Sequence, residues 1–207
     1  MTSAALERAT FRISEQDLEY MVLDRAELPL EFAGYQQVRV GPLDNENMAA
    51  HGFTGSTAAR FREAGRITGY MREFGPTSDM NVFDGFNFVG STVTHLFENP
   101  ESVTGWMTDV FLKDFESNVG EGVGEGHQLI SVDRLEPSGF FDEAVALKAV
   151  QGGPQGVVSS TVVDFRVGRI LGVAFVGAVG NHDRLDLAGQ LALALEKRIV
   201  QVVLGAI

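Results

Sequence analysis

Four histidines, His51, His95, His127 and His182, are the side chains best suited to acid–base or metal chemistry in this chain, and their spacing supports neither. No two lie four residues apart on one element and no His-Glu-x-x-His run occurs, so a helical zinc site has no anchor. Cysteine is absent, which removes thiol nucleophiles, thiolate metal sites and disulfides. No Gly-x-Ser-x-Gly elbow presents a serine. The loop Gly120-Glu121-Gly122-Val123-Gly124-Glu125-Gly126 has the glycines of a phosphate cradle in the wrong surroundings. A helix precedes it, a strand follows, and two glutamates repel an anion, so it reads as a flexible connection. Asp44-Asn45-Glu46-Asn47 lacks calcium-loop spacing and reads as a helix start. Asn181-His182-Asp183, with Asp186, brings donors to a helix N-terminus, and a cap at Asp183 explains the same residues. Glu73 and Asp84 could approach as a carboxylate pair, but 28 acids offer many such pairs. These residues imply no catalytic set, no metal and no cofactor.

What remains is binding chemistry. Arg66, Arg72, Arg166 and Arg169 lie in or beside strands; on one face they would hold an anionic ligand, and as solvated sheet-face arginines they would hold none. Tyr70, Phe74, Phe86, Phe88 and Trp106 read as core or as pocket lining. His95, mid-strand among apolar neighbours, reads more readily as a structural histidine than as a base. Arg66, Tyr70, Arg72, His95 and Trp106 are the residues this reading assigns to a ligand site.

The elements that must position them follow from periodicity. Ser14 with Asp17 three residues on resembles a capping box, with Ile13 and Leu18 at the staple positions, and predicts a helix that ends at Leu28-Pro29. Tyr35 to Val40 predicts a short strand, Asp44 to His51 a short helix, and Thr57 to Ala64 another, stopped by Gly65. Arg66 to Phe74 and Phe86 to Phe97 have strand composition, separated by the turn-rich Gly75-Pro76-Thr77-Ser78-Asp79. In the second strand Val89, Ser91, Val93, His95 and Phe97 share one face, and Phe88, Gly90, Thr92, Thr94 and Leu96 the other. Apolar residues on both faces imply a sheet covered on both sides. Asn99-Pro100-Glu101 opens a helix whose stripe is Val103, Trp106, Met107, Val110, Phe111 and Phe115. Leu129 to Leu135 and Glu143 to Val150 predict strands. Val157 to Val167, a Gly168-Arg169 turn, Ile170 to Val179 and an amphipathic run from Leu185 to Leu204 predict a hairpin with a long helix across it.

Composition sets the outer bounds. With 207 residues, 44% hydrophobic and 21% charged, the chain has ordinary globular usage. The most apolar run, Ile170 to Val179, is half the length needed to span a bilayer. The net charge of −12 is uneven: residues 1–126 hold 20 acids against 9 bases, residues 127–207 hold 8 against 7. An acidic surface repels phosphates, which argues against nucleic-acid partners. The first residues lack the basic and apolar regions of a signal peptide, which implies a cytoplasmic protein or a mature region of an exported one. An echo between Phe61–Gly69 and Phe165–Gly172 suggests a pseudo-repeat (about 57–117 and 140–204) within one domain of residues 1–207, although the two copies disagree in register. The apolar tail Val202 to Ile207 offers a surface for a homo-oligomer.

Several phrases together carry a resemblance. Leu28-Pro29 with Phe32, then Gly65-Arg66-Ile67-Thr68-Gly69-Tyr70, later Glu143-Ala144-Val145-Ala146-Leu147, the hairpin Val163 to Phe175 and the closing helix resemble bacterial extracytoplasmic sensor and lipoprotein-type domains with a Mog1/PsbP-like α/β sandwich. The resemblance spans much of residues 14–204; the chain departs from exported members in lacking a lipobox cysteine. It implies an α+β fold, a twisted antiparallel sheet flanked by helices. It implies a non-enzymatic role in binding an unknown small ligand or protein, outside the cytoplasm. Two alternatives stand beside it: a small-molecule carrier or enzyme with an aromatic-lined pocket between sheet and helices, and a subunit of an oligomeric assembly.

Overall fold

The structure is a computed structural model that describes residues 3–77, 87–123, 126–154 and 156–207. Asp84 and Phe86, and part of the turn-rich segment before them, lie outside the described residues, as do Gly124 and Glu125. Seven strands form one antiparallel sheet in the order β1-β2-β3-β7-β6-β5-β4. They are β1 Gln36–Pro42, β2 Arg66–Gly75, β3 Phe88–Phe97, β4 Gln128–Leu135, β5 Ala144–Gly153, β6 Gly156–Val167 and β7 Ile170–Val179. Each strand expected from alternation is present. The join between the first three strands and the last four is β3 against β7, from Phe88↔Ala178 to Leu96↔Ile170.

Both faces of the sheet are covered, which is why the central strands carry apolar residues at odd and even positions alike. On one face lies α7 (Leu185–Val203), where Leu187, Leu191, Leu195 and Ile199 pack with Phe88, Leu96, Phe165, Ala174 and Val176. Each such leucine contributes about 1.5–3 kcal/mol by leaving water. The N-cap of this helix is Arg184 and not the expected Asp183, which lies one residue before it and accepts from Leu185 N at 2.9 Å. The tight β6–β7 turn needs Gly168 at φ +56, and Arg169 beside it donates to the carbonyls of Thr10, Phe97 and Ile13. Arg169 thereby ties the hairpin to the N-terminal segment.

That segment departs from the expected single helix. Glu15–Asp17 is a 3-10 turn, α2 spans only Leu18–Met21, and Arg25–Glu27 is another 3-10 turn. A further helix, α1 (Ser3–Thr10), stands where none was expected. Half of the capping box is present: Asp17 accepts from Ser14 N and Oγ at 2.7 Å each, while Asp17 N donates to the carbonyl of Ser14 and not to its hydroxyl. The helix stops early because the sheet claims its backbone. Thr94 Oγ1 donates to Leu18 O (3.3 Å), Leu23 N donates to Thr92 Oγ1 (3.3 Å), and Arg72 donates to Leu23 O (3.0 Å). With Leu18, Met21 and Leu23 fully buried, these bonds replace helical ones that the chain would otherwise make. Further on, the ring of Phe32 rests against the β3 backbone at Gly90, where a Cβ would meet its Cζ at 2.4 Å.

The opposite face carries α3 (Asn45–Ala50), α4 (Ala58–Glu63) and a helical rod from Pro100 to Ser117. Asp44 and Thr57 cap the two short helices as their positions imply, accepting from Asn47 N and Arg60 N. The rod begins as α5 (Pro100–Gly105), passes through a π-helical turn at Trp106–Leu112 and ends as α6 (Lys113–Ser117). A π turn inserts a residue and changes which side chains share a face. Here it lets Leu112, 4% exposed, join Leu129, Leu147 and Val162 in the core, while Val110 and Phe111 stay only partly covered.

Candidate functional site

A cleft of about 510 Å³ lies between the sheet and the rod 100–117. Met71 and Glu73 of β2, Ser91 of β3 and Phe175 of β7 form its floor. Trp106, Val110, Phe111, Asp114 and Phe115 form the rod side, and Met48, His51, Phe53 and Phe61, from α3, α4 and their connection, form the other. Arg39, directly across from Glu73 in the β1–β2 ladder, stands exposed at the rim.

The rings form two clusters, Phe53, Phe111 and Phe115 in one and Trp106, Phe61 and the buried Phe97 in the other. Phe53 meets Phe115 edge-on at 4.9 Å, Phe111 meets Phe115 at 5.5 Å, and Trp106 meets Phe61 at 5.2 Å and Phe97 at 5.4 Å. Such edge-to-face pairs add about 0.5–1.5 kcal/mol each beyond area burial and hold the walls in place. Arg60 of α4 donates to both carboxylate oxygens of Asp114 at 2.7 Å, bridging the two walls. The same bond to Asp114 favours the charged guanidinium of Arg60. His51 Nδ1 lies 2.7 Å from Asn47 O, so this nitrogen carries a proton and donates it there.

Beneath Trp106 lies a buried polar network. Arg66, 1% exposed, donates to Asn45 Oδ1 and Leu43 O, both at 2.6 Å, and to His95 Nδ1. Asn45 in turn donates to Arg66 O at 3.1 Å and Ile67 O at 3.2 Å. Burial lowers Arg66 to about 10, against a smaller upward pull from Asp44. Burial first, and the charge of Arg66 second, hold His95 well below the usual histidine range. The neutral imidazole therefore receives the arginine through Nδ1, and its ring lies 6.5 Å from that of Trp106.

The five residues expected at a ligand site thus fall in three places. Trp106 lines the cleft. Arg66 and His95 lie under it. Tyr70 and Arg72 face the other side of the sheet, where Tyr70 packs against the α7 core and Arg72 bonds Leu23 O and Asp24. A bulge between Arg66 and Thr68 causes the split, shifting the β2–β3 register by one residue. Plain alternation groups Arg66 with Tyr70 and Arg72; the bulge instead sets Arg66 on the same face as Gly69, Met71 and Glu73. The four arginines do not converge on one ligand. Arg166 pairs with Asp142 and Glu143, and Arg169 is held by three carbonyls. Sequence reasoning passed over Phe53, Met48 and Met71, while Phe111 and Phe115 read as core. Glu73 was noticed only for a pairing with Asp84.

Among the described residues no three His, Asp or Glu side chains converge as metal ligands, and no helix is long and apolar enough to cross a membrane. The fold and the cleft define an α+β domain in which a seven-stranded antiparallel sheet, clothed by helices on both faces, opens an aromatic cleft under one helical rod. Among solved structures the chain is similar to the extracellular domain of PknH from Mycobacterium tuberculosis, with a TM-score of 0.61 at 10% identity, covering 90% of this chain and 96% of that one. At that identity the likeness is one of fold. A second match is the Rv0999 ortholog from Mycobacterium smegmatis, at a TM-score of 0.44 and 10% identity over 98% of this chain and 97% of that one. No protein-family model matches the sequence, and no curated protein matches it.

Proposed function

We propose that this chain is a non-enzymatic binding domain that takes a small, largely apolar ligand into the cleft beneath the rod 100–117 and acts outside the cytoplasm. The cleft carries the reading. Its volume falls in the range of small-molecule sites, and its lining of rings and methionines with a few polar groups is what such sites use. The polar groups best placed for catalysis are committed elsewhere, Asp114 to Arg60 and His95 to Arg66. Trp106 touches the ligand in this reading, and Arg66 and His95 hold Trp106 from below.

The extracytoplasmic placement draws on the shared fold with an extracellular domain. The likeness to Mog1- and PsbP-type sandwiches belongs to the same reading, since that group implies a sheet of this kind. A carrier role uses the same cleft and is the second reading. Leu204 and Ile207, exposed at the C-terminal tail, support self-association as an added property.

Titration with a neutral apolar dye such as Nile red tests the cleft. Saturable one-to-one binding is expected, with loss in Ser91→Phe, which puts a ring into the floor, and in the milder Ser91→Leu. Binding that survives both substitutions in folded protein overturns the assignment. Fractionation of cells expressing the full-length gene product tests the placement, and a purely cytoplasmic product overturns it.

A further inference from the structure

The charges around the cleft are unequal in what they have left to offer. Asp114 already holds Arg60 through both oxygens, and His51 gives its Nδ1 proton to Asn47 O. Glu73 is different. It is half-buried in the floor, and among the described residues its carboxylate has no hydrogen-bond or ion-pair partner. Arg39 opposite it is exposed and likewise makes no ion pair among the described residues. The uncommitted charge facing the interior of the cleft is thus negative, and it sits among aromatic rings.

Three classes of ligand meet this arrangement differently. A neutral apolar ligand would displace water from Glu73 and leave it unpaired, which is costly for a charged group. An anion would meet Glu73 and Asp114 at short range and in reduced dielectric, where like charges repel most strongly. An ammonium group would pair with Glu73 and lie against ring faces, whose quadrupoles attract cations. The wider field agrees. All lining residues except Gln151 and Phe175 belong to residues 1–126, the stretch with 20 acids against 9 bases. Arg39 also lines the cleft, but it stands exposed at the rim while Glu73 lies half-buried in the floor, so the charge a ligand meets inside is that of Glu73.

We infer that the ligand is an amphiphilic cation, an apolar or aromatic body bearing one ammonium group, and that Glu73 is the residue that selects it. This rests on the cleft being the binding site.

Trp106 is the single tryptophan of the chain, so its fluorescence reports occupancy directly. Three matched probes, octyltrimethylammonium, octanoate and octanol, each kept below aggregation, separate the cases. The ammonium probe is expected to bind about tenfold more tightly than octanoate, consistent with one ion pair plus cation–π contact. Glu73→Gln is expected to erase that preference and to leave octanol binding equal or tighter, and Arg39→Ala to preserve or increase the preference. Octanoate binding as tightly as the ammonium probe, or a preference that persists in Glu73→Gln, overturns the cation assignment while the cleft stands. Failure of all three probes to perturb Trp106 overturns the cleft itself and the assignment with it.

Discussion

Arg66 gives two of its N–H groups to one acceptor: Nε lies 3.1 Å and Nη2 2.9 Å from Nδ1 of His95. Its remaining contacts are with Asn45 Oδ1 and Leu43 O. Among the described residues no carboxylate lies within ion-pair reach of it, so its direct contacts are all neutral dipoles, with Asp44 acting only at longer range. The fork of the guanidinium is what makes this feasible, because its donors point in fixed directions at three separate acceptors.

A lysine at position 66 has one nitrogen and cannot span Asn45, Leu43 and His95 together. Arg66→Lys is expected to lower stability by about 2–3 kcal/mol, the scale of lost charge-assisted hydrogen bonds with acceptors left buried. Urea denaturation followed by circular dichroism measures this. A loss below about 0.5 kcal/mol would show that the network does not hold the fold.

Gly69 admits this network. A Cβ there would meet His95 Nδ1 at 2.5 Å, Arg66 Nη2 at 2.8 Å and Thr94 O at 2.9 Å. One of the three is strand backbone that cannot yield, so the imidazole and guanidinium must move. Gly69→Ala is expected to cost about 1–3 kcal/mol by overpacking and to shift the Trp106 emission, because His95 lies under that ring. An unchanged spectrum with unchanged stability would contradict the close packing.

How far these contacts can be read from the sequence depends on the range of the interactions. The strands and α7 are legible because alternation and helical spacing are local properties. The expected helix after Ser14 fails because Thr92 and Thr94, more than sixty residues away, bond the backbone at Leu23 and Leu18. The π turn is hidden because Trp106 to Leu112 keeps an ordinary apolar stripe. The site is blurred by one bulged residue at Ile67, which sends Arg66 and Tyr70 to opposite faces. The cleft itself is a gap between elements, and a residue such as Phe111 looks the same in sequence whether it fills a core or borders a space.

The bridge between Arg60 and Asp114 fixes how far the cleft walls stand apart. Arg60 is partly exposed, so the bond contributes little to overall stability, about 0.5–1 kcal/mol. Its local effect is larger, since it links α4 to α6. Asp114→Asn is expected to leave the denaturation midpoint nearly unchanged and to increase acrylamide quenching of Trp106, as α4 and the rod separate more readily. Equal quenching in the variant and the parent would remove the bridge from control of the cleft.

Two buried groups oppose each other in pH dependence. Asp164, opposite Val145 and Val173 on the rod-covered face, has an Oδ1 with no hydrogen-bond partner, and burial holds its carboxyl well above the usual range. It keeps a proton that the unfolded chain releases above about pH 3.9, so its contribution to stability is complete below that pH and is lost as pH rises. His95 is held below its usual range by burial and by Arg66, so it refuses a proton that the unfolded chain binds below about pH 6.5. Its contribution is complete above that pH and is lost as pH falls. Between about pH 4.5 and 6.5 the two slopes have opposite signs, each at most about 1.4 kcal/mol per pH unit, and they offset each other. Asp164→Val completes a valine row, removes one slope, and is expected to raise stability at pH 7 by about 1–3 kcal/mol while making it fall on acidification. His95→Gln leaves the other slope, so stability should fall less on acidification than in the parent, or rise. Glu196, raised chiefly by burial, acts in the Asp164 direction in all three proteins and cancels from the differences. Urea midpoints at half-unit pH steps measure the profiles. An Asp164→Val profile parallel to that of the parent would show that Asp164 is not the protonated group in the folded protein.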